Sequence, residues 1–313
     1  FVKLFYKSIW GNHFREKGVT ERTFNGYRER AKKEIEYTKR FSKKIGPKYI
    51  TTKEFFGHHG VVEAMIIEEG KDLEDHLTKR VRFNDNPFEK TKLITIKDKN
   101  GNYLYSISNA SYVAGETARM LYHMHDPNLS WEERIAHRDL KPANIIIVND
   151  SCQNTRYKLI DFGITSRYKD IRLRTNSVIG TPPYMSPEAL NGYPRKKGNL
   201  EALYGNVKEN IEASEICSWG LTMWSLFYPG GPKTYSRKEI RTRGLGRLIE
   251  NCMSRFSDNR HIQNLEDDSI DNIIPTIHPR LKEIILASVD ERPEMRPQSF
   301  KEIFKEIASF AME

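Results

Sequence analysis

Cysteine is scarce in this 313-residue chain, which has three, at positions 152, 217 and 252. Cys152, Cys217 and Cys252 are odd in number, far apart and without the paired spacing of metal ligands. That argues against a disulfide framework or a zinc site and fits a reducing, cytosol-like compartment. Long hydrophobic runs are missing too. The longest nearly apolar stretch, 220–228, is far short of the roughly 20 residues that cross a bilayer, and Phe1 opens no signal-like pattern, so no membrane insertion is expected. No repeat, low-complexity tract or Gly/Ser-rich linker divides the chain, so its boundaries must come from the secondary-structure pattern. The basic excess, 51 Lys and Arg against 42 Asp and Glu for a formal charge of +9, is scattered along the whole sequence. It reads as a solvated surface and not as a nucleic-acid interface.

Enough apolar material is present, 38% hydrophobic with 11% aromatic, for one large core or two lobes. The pattern predicts a strand at 1–6, a charged helix at 27–41 and an apolar strand at 61–67. Gly70 breaks the last of these, a short amphipathic helix is expected from 71, and a small strand-rich part ends near residue 70. Mostly helical sequence follows. The exception is 93–107, where alternating apolar residues flank Asn100-Gly101, a dipeptide that favours tight hairpin turns; it reads as a hairpin inserted at about 90–108. Further helices are expected at 111–125, 216–226, 279–288 and 298–310, short strands at 145–148 and 157–160, and an irregular, charged insertion at 191–210.

Three short segments carry chemistry. In His137-Arg138-Asp139-Leu140-Lys141-Pro142-Ala143-Asn144, Asp139 can accept a proton from an incoming hydroxyl. Lys141 can offset charge on a transferred phosphoryl group, and Asn144 can bind a metal. Asp161-Phe162-Gly163 sets a carboxylate at a strand end before a glycine turn, which suits a hard, oxygen-loving cation. The third segment is Gly180-Thr181-Pro182-Pro183-Tyr184-Met185-Ser186-Pro187-Glu188.

In this order and spacing the segments resemble the protein kinase family. The resemblance implies an α+β, bilobal fold, with a small strand-rich N-lobe at 1–70 and a large helical C-lobe at 71–313. It also implies use of ATP and Mg²⁺, with Mn²⁺ as a substitute, and transfer of phosphate to Ser/Thr hydroxyls of protein substrates. Lys141 together with Thr181 points to the Ser/Thr branch. His137, Phe162 and Gly163 take structural places, and Glu188 pairs with Arg296 as a buried ion pair. Glu215 stands where the family usually has Asp. It either reaches the catalytic-loop backbone or is an ordinary acid at the positive end of a helix. Arg138 is expected to receive a phosphate on Ser177, with Thr175 as second choice.

Towards the start the match weakens. Lys3 is the candidate for the lysine on the nucleotide phosphates, with Lys7 as fallback, and Glu34 is its helix-borne partner. Ile67, Glu68 and Glu69 align with residues that bound and hydrogen-bond adenine, and Asp72 with one that meets the ribose. No residues precede Lys3 in which the family's glycine-rich loop could lie, and Gly101 is misplaced for it. The expectation is therefore that the natural protein continues upstream and that the chain as given binds nucleotide weakly. Ala143 and Ser225 stand where kinases that prefer basic substrates carry acids, so no such preference is expected. The insertions at 90–108 and 191–210 are candidate surfaces for a regulatory protein partner. The alternative function is a catalytically weak kinase-fold scaffold or allosteric partner. A small-molecule phosphotransferase would keep the His-x-Asp loop without Lys141 and Ser-Pro-Glu.

Overall fold

Residues 49–57 and 60–67 are rich in β-branched and aromatic types, which fit a pleated surface. In the computed structural model they form antiparallel strands β2 (Tyr49–Gly57) and β3 (Gly60–Ile67), with Gly57 opposite Gly60 at the turn. Strand β1 (Val2–Tyr6) pairs with the other edge of β3, placing Lys3 opposite Met65, so the sheet order is β1-β3-β2. The structure describes residues 2–6, 21–42, 45–46, 49–57, 60–67, 71–73, 107–149, 155–171, 179–191, 210–227 and 278–310. Strand β2 was not expected from sequence, because Lys53-Glu54 interrupts its apolar run. Pairing with β3 supplies the backbone partners that local pattern does not advertise.

Chain contacts group the molecule into two compact units, Phe1–Lys71 with Ile146–Thr165, and Asp72–Ile145 with Ser166–Glu313. In the first unit, helix α1 (Glu21–Phe41) extends further towards the N-terminus than its apolar periodicity suggested. Its buried positions Glu34, Ile35, Tyr37, Thr38 and Phe41 fall on one helix face, while Lys32, Lys33, Glu36, Lys39 and Arg40 are exposed. Phe41 stacks on Tyr37, with ring centroids 6.0 Å apart, and meets the ring of Phe162 at 5.4 Å. A second sheet has the order β4 (Lys71–Asp72), β6 (Ile145–Asn149), β7 (Thr155–Leu159), and the amide of Leu159 donates to the carbonyl of Ile45 at 2.9 Å. The helix expected from residue 71 is therefore corrected at its start: Lys71 and Asp72 are strand, their backbone groups taken by sheet pairing. Residues 74–106, which include most of the expected hairpin, lie outside the described residues.

The second unit is helical apart from the two-stranded pairing of β5 (Ile135–Ala136) with β8 (Ser166–Arg167). Helix α2 (Ile107–Met124) packs against α6 (Phe300–Phe310), and the short α3 (Pro187–Asn191) follows the third motif. At the centre runs α4 (Asn210–Phe227), where Ile216, Cys217, Trp219, Leu221, Met223 and Trp224 are each at most 2% exposed. A helix apolar on nearly every side is a core helix. It starts six residues before the expected 216, because its first turns carry Glu212 and Glu215, and the amide of Phe300 donates to Glu212 Oε1 at 3.0 Å. Helix α5 (Pro279–Ser288) is capped by His278, whose Nδ1 accepts the Arg280 amide at 3.3 Å. Among the described residues no helix is long and apolar enough to cross a membrane.

Gly220 is where α4 and the end of α5 approach most tightly. A methyl group there would lie 2.8 Å from Ser288 Cβ and 2.9 Å from Val289 Cγ1, both held close to the backbone. Alanine normally favours a helix over glycine by about 1 kcal/mol, but overpacking a core costs about 1–3 kcal/mol. Gly220→Ala is therefore expected to lower the thermal unfolding midpoint; an unchanged or higher midpoint in a melting experiment would contradict this packing.

Candidate active site

The loop after β5 owes its shape to proline and asparagine. Pro142 opens a single 3₁₀ turn, Pro142–Asn144, in which the Asn144 amide donates to the Lys141 carbonyl at 2.9 Å. The Asn144 side chain, on a residue 4% exposed, turns back into the loop. Its Nδ2 donates to the Asp139 carbonyl at 2.7 Å and to Asp139 Oδ2 at 3.1 Å. Lys141 Nζ donates to the same Oδ2 at 3.0 Å and to Thr181 Oγ1 at 2.9 Å, and Thr181 Oγ1 donates to Asp139 Oδ1 at 2.6 Å. Asp139, Lys141 and Thr181 thus close a triangle. The carboxylate is oriented through both oxygens and faces a positive charge, yet its side chain keeps 13% of its surface accessible, so a small hydroxyl group can reach it.

Beneath the triangle the backbone is strained. Arg138 has φ of 70°, the left-handed region that costs a non-glycine residue about 1–3 kcal/mol. Two features hold it there. Gly180, itself at φ of 121°, lets the chain pass so closely that a methyl group would sit 2.7 Å from the Arg138 carbonyl oxygen. The Arg138 amide donates to Glu215 Oε1, while Glu215 Oε2 accepts from His125 Nε2 at 2.6 Å and His125 Nδ1 meets the Tyr168 hydroxyl. Glu215 lies in the second turn of α4 and reaches the catalytic-loop backbone, the first of the two readings its position allowed. Burial pushes its carboxyl up, but the His125 hydrogen bond, the electrostatic attraction of His125 and His137 and the Arg138 amide outweigh that and hold it below the ordinary value. His137, fully buried, accepts the Asp139 amide at Nδ1 at 3.4 Å. Burial lowers the Arg138 guanidinium, and its Nη1 donates to Ser166 Oγ at 3.2 Å.

A model of the protein kinase domain matches residues 11–306. The chain belongs to the protein kinase family. The family uses ATP with a divalent metal and acts on protein substrates. Among similar proteins, mitogen-activated protein kinase kinase 8 of Arabidopsis thaliana is 33% identical over 105 residues, covering 33% of this chain and 31% of that protein. Probable serine/threonine-protein kinase mkcD of Dictyostelium discoideum is 37% identical over 100 residues, 32% of this chain and 14% of that protein. A putative serine/threonine-protein kinase of Mycoplasma genitalium is 34% identical over 113 residues, 34% of this chain and 27% of that protein. The matches span about a third or less of these relatives' length.

In this kinase domain Glu188 and Arg296 meet in a two-pronged ion pair, Nη1 to Oε1 at 2.6 Å and Nη2 to Oε2 at 3.1 Å. The remaining donors of Arg296, 1% exposed, go to the carbonyls of Asp290, Ala213 and Glu291. All five N–H groups are therefore satisfied, the condition under which a buried guanidinium is tolerated.

The Asp161-Phe162-Gly163 tripeptide groups with the first unit. Asp161 has φ of 65°, the Phe162 ring is fully buried, and a methyl group at Gly163 would press on Glu34 Oε2 at 3.0 Å and lie 3.5 Å from Asp161 Oδ1. Glu34, 2% exposed, is thus brought beside the tripeptide. Lys3 lies in β1 and Asp72 in β4; their side chains, like Glu68, Glu69, Thr175 and Ser177, lie outside what is described. Among the described residues no group of three or more His, Cys, Asp or Glu could hold a metal. With Nδ2 of Asn144 committed to Asp139, its oxygen is the atom suited to a hard cation. Sequence reasoning missed His125, Tyr168 and the Ser186–Ser214 hydroxyl pair, 2.7 Å apart. No fixed spacing ties His125, Tyr168 or Ser214 to the motifs, and Ser186, though inside the third, gives no sign in sequence of its partner.

Because the folded-state carboxyl of Glu215 is depressed, its stabilisation is present above the ordinary value of 4.5 and is lost as pH falls through the lower folded value. Glu215→Gln is expected to unfold at lower temperature than the parent at pH 7, with the gap narrowing below pH 4.5. A gap that stays constant across an acid melting series would refute the charged role.

Proposed function

We propose that this domain transfers the γ-phosphoryl group of ATP to serine or threonine hydroxyls of proteins. The observation that carries the proposal is the triangle of Asp139, Lys141 and Thr181, with Asp139 fixed from behind by Asn144. A phosphoryl group in flight needs alignment and charge compensation more than covalent chemistry. Asp139 accepts the hydroxyl proton as the new O–P bond forms. The bond from the γ-phosphorus to the β–γ bridging oxygen breaks, and ADP leaves with the electron pair. Lys141 then faces the phosphoryl oxygens, and Thr181 keeps the carboxylate turned towards the acceptor.

The Ser/Thr preference is supported by Lys141 paired with Thr181 and by the names of the relatives mkcD and the Mycoplasma protein. Asn144 and Asp161 offer the oxygen donors that suit Mg²⁺, which when bound would neutralise phosphate charge. Lys3, Glu34, Glu68, Glu69 and Asp72 are proposed for the nucleotide, and the insertions at 90–108 and 191–210 for a regulatory protein. A reducing compartment such as the cytoplasm is in keeping with Cys217, which is buried and not joined in a disulfide. Arg138, whose guanidinium has one described donor contact, to Ser166, is proposed to receive a phosphate on Ser177 or Thr175.

In a radiolabelled-ATP assay on a mixed protein substrate, Asp139→Asn is expected to reduce transfer about 10²–10⁴-fold, the usual worth of a general base, and Asp161→Ala to reduce it comparably. Parent-like rates in either variant would sink the assignment. Mass spectrometry of fully active enzyme is expected to find phosphate on Ser177 or Thr175, and its absence from both would rule out that switch.

A further inference from the structure

Three hydrogen bonds run in series through the second unit. The Tyr168 hydroxyl meets His125 Nδ1, His125 Nε2 donates to Glu215 Oε2 at 2.6 Å, and Glu215 Oε1 accepts the amide of Arg138, the residue before Asp139. Tyr168, His125 and Glu215 are 2%, 1% and 4% exposed, so water does not compete for these groups. The two imidazole nitrogens are not equivalent. An ionised carboxylate can only accept, so Nε2 carries a hydrogen, and in the uncharged ring Nδ1 is then a bare acceptor in a buried site. The phenol supplies the hydrogen it needs.

Tyr168 is held independently of that bond. Its amide donates to the Arg134 carbonyl at 2.9 Å, and its ring meets Trp131 edge-on with centroids 5.7 Å apart, packed with Ala136 and Ile211. It directly follows β8, whose pairing with β5 ties the stretch after the Asp161-Phe162-Gly163 tripeptide to the stretch before the catalytic loop. The hydroxyl is therefore a fixed donor and not a wandering one.

We infer that Tyr168 is a positioning residue: its hydroxyl locks His125 into the Nε2–H form, which keeps Glu215 on the Arg138 amide and so maintains the left-handed turn that presents Asp139. Without the hydroxyl, Nδ1 is left as a buried acceptor with no donor, and only the Glu215 carboxylate still opposes a ring that moves its hydrogen there. Its Nε2 lone pair then faces the Glu215 carboxylate, and the two acceptors repel. The carboxylate shifts, and the loop relaxes from a backbone state it does not favour. The effect of this inference on catalysis rests on the proposed phosphoryl transfer by Asp139; the effect on the imidazole does not.

The test uses the full chain and Tyr168→Phe, which removes one oxygen and leaves the packed ring. The nine histidines are labelled with ¹⁵N, and the His125 signals are assigned by their loss in His125→Leu. At pH 8, above the ordinary histidine range, the parent is expected to show His125 as the single Nε2–H tautomer and Tyr168→Phe to show a mixture. Circular dichroism is expected to match in the two. In kinetics, kcat is expected to fall about ten-fold, less than the ~100-fold that a 1 Å misplacement can cost, with KM for ATP and for a peptide substrate within about two-fold. The double variant Tyr168→Phe/His125→Leu should be no slower than His125→Leu, because the hydroxyl acts through the ring. An unchanged tautomer in Tyr168→Phe, or additive losses in the double variant, would overturn the inference. Absence of phosphate transfer in the parent would instead count against the proposed function, leaving the tautomer measurement to decide the role of Tyr168.

Discussion

A carboxylate withdrawn from water must find donors for its oxygens or lose its charge, and Glu215 finds them in the His125 imidazole and the Arg138 amide. Much of the second unit is organised around that requirement. The helix that bears Glu215 is the most apolar in the described chain, packed on several sides by side chains that exclude water. A buried acid in such a helix is tolerated because one oxygen is spent on His125, just past the end of α2, and the other on the backbone of the loop that holds Asp139. The acid therefore links the core to the chemistry.

The loop could not keep its shape from local preferences alone. Arg138 occupies a left-handed conformation that a side chain disfavours, and Gly180 is needed so that another segment can pass against its carbonyl. The strain is offset by a charge-assisted hydrogen bond, stronger than one between neutral groups. Its outcome is that Asp139, next in sequence, meets Lys141 and Thr181 with both carboxylate oxygens engaged. Arg296 follows the same rule: a buried charge persists because all of its donors are met.

Much of this was legible in sequence where function demands particular residue types at short range. The eight-residue loop, the Asp161 tripeptide and the segment ending at Glu188 are each contiguous runs of set residue types, so their order along the chain identifies them even though Thr181 and Glu188 bond residues far along the chain. Helices with a clean apolar stripe were legible as well, and α5 begins and ends where its pattern does. Elements stabilised from a distance were not. Strand β2 depends on β3, α4 begins among charged residues, and Lys71 and Asp72 pair in a sheet where a helix start was expected. In each case long-range backbone pairing or core packing overrode the local signal.

From the sequence alone, the family resemblance, the candidates for a catalytic base and its charged partner, and the expectation of a buried Glu188–Arg296 pair could all be reached, because these depend on which side chains are present and in what order. Tertiary structure decided the rest. It chose between two readings of Glu215, since an acid at that position is equally ordinary in either until the catalytic loop is seen to offer it an amide. It also joined Tyr168 to His125, 43 residues apart, and His125 to Glu215, 90 residues apart. Hydrogen bonds of that kind leave no periodicity or spacing behind, because their geometry exists only after the chain has folded.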